Sequence, residues 1–289
     1  MWTPTRRPKQ RGRARRGSRC GAPFCIVAAS LLTVPALAET AVDLELAIGV
    51  DVSRSIDAEE AKLQRQGYIK AFRDPEVINA IETGMLGRIA VGYYEWAGLL
   101  HGHIVVDWTR IEDATSAHAF ADALARDTPL TASRTSISGA IDFAQPWFDN
   151  NGFEGNRRVI DVSGDGPNNW GELVTKMRDR AVAAGVTING LPILDVGGGL
   201  FSRFNIANLD LYYRDCVIGG TGAFLVVAAD FNDFARAVRR KLVLEIAGLQ
   251  PPIIPAQING PIKVQANQPA RVSPPCDIGE TMWRNRDGF

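Results

Sequence analysis

Short apolar runs alternate with amphipathic stretches through the middle of the chain. Residues 42–50 are strand-like and end in Asp51. Asp57 follows with Glu60 three residues on, the pattern of a helix-capping box. The helix it opens places Leu63, Gly67 and Ala71 on one face beside Tyr68 and Phe72. Strands are predicted over 88–96 and 101–107, and a helix over 114–126. Ile137, Ile141, Ala144 and Phe148 form a helical stripe. A strand over 157–163 and a helix over 172–184, stopped by Gly185, come next. Strands over 186–193 and 222–228 precede a last helix, capped by Asp230 and carrying Phe234, Val238 and Leu242. This order predicts an α/β fold: a doubly wound, mostly parallel sheet with helices on both faces. The hairpin from 88 to 107 supplies one antiparallel edge strand. Ligands of such sheets gather at the carboxyl ends of the strands.

The ends of the chain differ from this middle. Residues 249–289 contain seven prolines and no clear period, and read as an extended tail. Residues 1–38 carry eight bases and no acid, then an apolar stretch, then Ala36, Leu37 and Ala38. That is the pattern of a signal peptide cut after Ala38, so the mature chain is expected to begin near Glu39 in an extracytoplasmic compartment, periplasmic or secreted. No other segment has the length and apolarity of a membrane span. The whole chain has 32 bases and 32 acids, but the mature part keeps 24 bases against 32 acids, a net charge of −8. Such a body is a poor match for nucleic acid, whose phosphates are bound by Lys and Arg. Cys216 and Cys276 remain after cleavage. An oxidising compartment permits a disulfide between them, while the apolar neighbours of Cys216 also suit a buried free thiol.

The chemistry concentrates in three segments. Asp51, Ser53 and Ser55 form D-x-S-x-S at a strand end, and alternation puts all three on one side. A polar loop, Ser133, Arg134, Thr135 and Ser136, opens a helix, and the strand over 157–163 leads to Gly164, Asp165 and Gly166. Hard oxygen donors of this kind suit Mg²⁺ first, with Mn²⁺ or Ca²⁺ as alternatives, rather than zinc. Taken by themselves the same residues also serve as helix caps.

In this order the three segments resemble the von Willebrand factor A domain and its metal-ion-dependent adhesion site (MIDAS). The resemblance spans about 42–248 and implies that Asp51, Ser53, Ser55, Thr135 and Asp165 hold a divalent cation. Within that pattern the hydroxyls ligate directly and the two aspartates act mostly through water. Arg134 stands where the family often has glycine, and Asn168, Asn169 and Trp170 form an unusual rim expected to supply side contacts to a ligand. The tracts 50–55 and 216–224 also resemble a narrower group of uncharacterised secreted bacterial A-type proteins.

The resulting expectation is a binding domain that engages an Asp or Glu carboxylate of a protein or peptide partner through the cation. It is expected not to be an enzyme: G-x-S-x-G and H-E-x-x-H motifs are absent and three histidines offer few general bases. A metal-assisted hydrolase and a scaffold with a structural metal are the rival readings. His101 and His103 share a strand face with no third ligand placed, and read as a solvent-facing edge pair. The glycines at 197–199 and 219–222 fit no nucleotide-binding motif.

Overall fold

Parallel strands buried on both faces read as nearly continuous apolar runs, and this chain has three of them side by side. In the computed structural model, which describes residues 39–98, 101–129, 131–194, 206–249 and 271–285, they are β2 (Glu45–Asp51), β3 (Ile89–Trp96) and β6 (Arg158–Gly164). With β4 (Gly102–Ile111) and β7 (Val186–Pro192) they form a sheet of order β4-β3-β2-β6-β7. β4 runs antiparallel to β3 and every other pairing is parallel, so the predicted mixed α/β sheet is the one observed. A separate two-stranded ribbon pairs β1 (Thr40–Val42) with β5 (Phe153–Gly155).

Period-two alternation sorts β2 between two cores. Leu46, Ile48 and Val50 pack with α1 (Ala58–Ala71), α2 (Pro75–Glu82), α3 (Ala114–Leu124) and α7 (Phe234–Ile246), through Tyr68, Phe72, Val77, Phe120, Phe234 and Leu242. Ala47 faces α4 (Ile137–Ala144), α5 (Val174–Ala183) and α6 (Leu209–Tyr212), with Tyr94, Ile141, Met177 and Tyr213. On that second face a Cβ at Gly49 would lie 2.4 Å from the Tyr94 ring, so only glycine admits the tyrosine.

The Asp57–Glu60 capping box forms as read: Asp57 accepts from the Glu59 and Glu60 amides, and Glu60 accepts from the Asp57 amide. Such a cap contributes about 1 kcal/mol. Leu63, expected on the buried face of α1, is instead 41% exposed. Gln64 and Arg65 turn inward because each finds a partner there: Gln64 donates to the Asp51 carbonyl at 3.1 Å, and Arg65 pairs with Glu95. Such partners make buried polar groups tolerable.

Two further expectations are corrected. Residues 222–228 form no full strand; they follow the edge of β7 through isolated bridges at Leu225 and Ala228. Gly220 and Gly222 turn the chain with positive φ, and Pro192 has no N–H to continue the ladder. The tail is not extended throughout: α8 (Ile278–Arg284) lies within it. Asp230 accepts from the Asp233 amide, one turn ahead of α7. Residues 1–38 and the glycines at 197–199 lie outside the described residues. No helix among the described residues is long and apolar enough to cross a membrane.

Candidate metal centre

The site forms where β2, β3 and β6 end. Val52 donates to the Trp96 carbonyl, Ala132 donates to the Val52 carbonyl, and Ser136 donates to the Ala97 carbonyl at 2.7 Å. These bonds draw the loops after β2 and β3 and the segment before α4 together beside the end of β6.

There the structure brings the five candidate residues into one hydrogen-bonded chain. The Ser53 amide donates to Asp51 Oδ1 at 2.7 Å. Ser53 Oγ and Ser55 Oγ lie 2.9 Å apart, Ser55 Oγ donates to Asp165 Oδ1 at 2.8 Å, and Thr135 Oγ1 donates to Ser53 Oγ at 3.3 Å. Asp51, Ser53, Thr135 and Asp165 are buried and Ser55 is half-buried.

The electrostatics of Asp51 are unusual. Its Oδ2 is buried and has no hydrogen-bond partner among the described residues. Burial, and then the like charge of Asp165, raise its pKa well above the ordinary carboxylate range. Gly164 leaves room for this carboxylate, since a Cβ there would lie 2.9 Å from Asp51 Oδ2 and from Tyr213 Oη. Tyr213, which sequence reasoning passed over, thus closes the floor of the site. Its own pKa is driven well up, first by burial and then by Asp51 and Asp165.

The expected rim divides. Asn168 and Asn169 are buried and serve the loops, not the solvent. Asn169 Oδ1 accepts from the Thr135 amide at 3.0 Å, and the Asn169 amide donates to the Thr135 carbonyl at 2.9 Å. Asn168 Oδ1 accepts from the Ser138 amide at 2.9 Å. Amide side chains match a backbone N–H in the loop with their carbonyl oxygen, which is why both point inward. Trp170 is 45% exposed and does reach the surface. Arg134 takes a left-handed backbone, φ 76°, at the position where a glycine would carry no penalty. That conformation costs an L residue about 1–2 kcal/mol. Its guanidinium lies 4.2 Å from the Trp170 ring centroid and 3.7 Å from that of Trp283.

Among the described residues no group of three or more His, Cys, Asp and Glu side chains gathers. The centre instead combines two carboxylates with three hydroxyls. That donor set, with an orphaned buried carboxylate oxygen, fits a hard divalent cation. His101 and His103 lie on the edge strand β4 or beside it, half-buried and exposed.

The family profile described as "Protein of unknown function (DUF1194)" matches residues 41–250. The chain belongs to this family. None of the curated proteins matches it. Among solved structures it is similar to proximal thread matrix protein 1 from the mussel byssus. The TM-score is 0.52 at 15% identity, over 72% of this chain and 49% of that one. A structure of the mussel protein with a zinc-occupied MIDAS motif gives a TM-score of 0.48 at 14% identity, over 72% and 47%. The pilus adhesin SpaC of Lactobacillus rhamnosus GG gives 0.52 at 11% identity, over 73% and 31%. A von Willebrand factor type A protein from Catenulispora acidiphila gives 0.49 at 14% identity, over 71% and 43%. The chain therefore spans about half the length of the mussel protein and less than a third of the adhesin. The DUF1194 chain has the von Willebrand factor A type of fold.

Proposed function

We propose that the centre around Asp51 is a divalent-cation site of the MIDAS kind, through which the protein binds a carboxylate of a protein or peptide partner outside the cytoplasm. The observation that carries this reading is the Asp51 carboxylate, buried beside Asp165 with one oxygen that has no hydrogen-bond partner among the described residues. A buried anion without a counter-charge is costly, and a cation relieves that cost. Asp51, Ser53, Ser55, Thr135 and Asp165 would hold the ion, Mg²⁺ by preference. A cation bound mainly by neutral hydroxyls stays electrophilic and offers a coordination position to an anionic oxygen. Arg134, beside Thr135, adds a positive charge for the same carboxylate. The reading is of a binding module and not of an enzyme. The fold shared with an adhesin and a byssus protein supports it at the level of architecture.

The test is thermal and chemical unfolding of the mature chain with Mg²⁺ or Mn²⁺ and with EDTA. An ion that binds only the native state at a hundredfold excess over Kd stabilises it by about 2.7 kcal/mol. Asp51→Ala is expected to remove that response, and acidic peptides retained with Mg²⁺ are expected to be released by chelator. Identical unfolding with metal and with EDTA would overturn the reading.

A further inference from the structure

We propose that the C-terminal arm, residues 271–285, is a working part of the Asp51 site: it positions the loop bearing Thr135 and builds one wall of its rim. This rests on the metal-site reading for its purpose, but not for its geometry.

The arm is held at its base by several independent ties. Cys276 is disulfide-bonded to Cys216, with their Cα atoms 5.4 Å apart. Arg271 pairs with Asp210 and donates to Asn208 Oδ1, while Asn208 Nδ2 donates to the Val272 carbonyl at 3.0 Å. Those ties would suffice to tether a tail. The chain nevertheless continues from Cys276 as α8 onto the loop after β6, a stretch more than 100 residues earlier in sequence.

Two routes then lead from α8 to Thr135. The first runs through Asn168. Gly279 packs so closely on this loop that a Cβ would lie 2.0 Å from the Asn168 carbonyl oxygen. Glu280 Oε1 accepts from Asn168 Nδ2 at 2.7 Å, and the same nitrogen donates to the Glu172 carbonyl at 3.0 Å. Asn168 Oδ1, on the same side-chain amide, is thereby set to receive the Ser138 amide, three residues past Thr135. A carboxylate acceptor strengthens and orients the amide it binds. The second route runs through Arg134, the residue immediately before Thr135. Its guanidinium lies over the indole of Trp283 as well as that of Trp170, a cation–π arrangement supplied jointly by arm and loop. Arg134 also has the left-handed backbone that needs outside support. Thr135 is therefore bracketed by arm contacts acting on both of its flanks. Glu280 and Trp283 are positioning residues, and Trp283 additionally faces the rim with Trp170.

The experiment is hydrogen exchange on the full mature chain without metal, comparing wild type with Glu280→Ala, Trp283→Ala and Trp283→Phe, followed by Mn²⁺ titration of each. Exchange at the Thr135 and Ser138 amides is expected to rise about tenfold or more in the two alanine variants, while β2 and β6 keep their protection. Mn²⁺ affinity is expected to fall in the same variants, and Trp283→Phe, which retains a ring over Arg134, is expected to stay near wild type in both measurements. Should a variant fold poorly, reduction of the folded protein with a dithiol removes the arm's covalent tie and leaves the others, and a weaker rise at the same amides is expected. Unchanged exchange across 131–140 in the alanine variants and in the reduced protein would overturn the inference. Because exchange is read without metal, a wild type that ignores Mn²⁺ would overturn the metal reading alone.

Discussion

Two buried acid clusters lie on β6 and its neighbours, and they differ in the partners that meet their carboxylates. Toward the middle of the strand, Asp161 lies 2.7 Å from Lys241 Nζ, and Lys241 also reaches Glu245 Oε1 at 2.9 Å. Asn189 Nδ2 completes the group by donating to Glu245. All four side chains are buried, and the lysine and glutamate come from α7, so the cluster fastens that helix to the sheet. At the strand end, Asp51 and Asp165 meet three hydroxyls, and no ion pair to Asp51 exists among the described residues. One cluster contains its own cation. The other joins two carboxylates to three hydroxyls. Burial of charge is expensive, so the first arrangement acts as a permanent fastener, whereas on the function proposed above the second would receive an external cation.

The largest effect that tests this contrast comes from removing the built-in cation. Lys241→Met leaves Asp161 and Glu245 buried without it, and is expected to destabilise the protein by about 3–5 kcal/mol in urea titration. Asp51→Asn is expected to do the reverse in the absence of metal, raising stability by about 1 kcal/mol because one of two adjacent anions is gone. It should also abolish the response to Mg²⁺. If Asp51→Asn proved as damaging as Lys241→Met, Asp51 would be a fastener too and the contrast would fail.

A finer separation comes from pH. Burial, only partly offset by Lys241 and reinforced by Glu245, pushes the Asp161 carboxyl up to about 7. A carboxyl raised on folding contributes stability that is complete below its unfolded pKa and is lost as pH rises through the folded value. The wild type should therefore lose part of its stability between about pH 4 and about pH 8, and Asp161→Asn should flatten that slope. Asp51 shifts in the same direction, so the metal-free protein also gains from acid at this site. A proton on Asp51 competes with the ion, and the stability increment from Mg²⁺ should shrink as pH falls. Unfolding curves with and without Mg²⁺ at several pH values read both effects. A Mg²⁺ increment that stayed constant into acid would separate Asp51 from the ion.

Much of this molecule is legible along the chain because the signals are local. The apolar runs of β2, β3 and β6, the capping box at Asp57 and the stripe from Ile137 to Phe148 each rest on spacing within a few residues. The D-x-S-x-S motif is local too, and strand alternation already places its donors on one side. Leu63 and residues 222–228 depart from their local pattern, each because of residues distant in sequence. Leu63 was displaced from the interior because Gln64 and Arg65 found buried partners on other strands and loops, which no helical period encodes. Residues 222–228 carry strand-like composition, but the neighbouring edge ends in Pro192, which offers no donor.

What the sequence alone determined is therefore the order of elements and the kinds of ligand atoms that reach the strand ends, since both depend on backbone periodicity and residue chemistry. Only the tertiary structure decided which acid receives the buried lysine. Asp161 and Asp165 are near neighbours on one segment and look alike there, and it is the packing of α7 that brings Lys241 to the first. The same holds for the arm. Glu280 and Trp283 carry no motif, and their bearing on Thr135 exists because the Cys216–Cys276 bond and the fit of Gly279 against Asn168 bring distant stretches of chain into contact. Contacts of that kind are set by the three-dimensional path of the backbone, which local spacing does not contain.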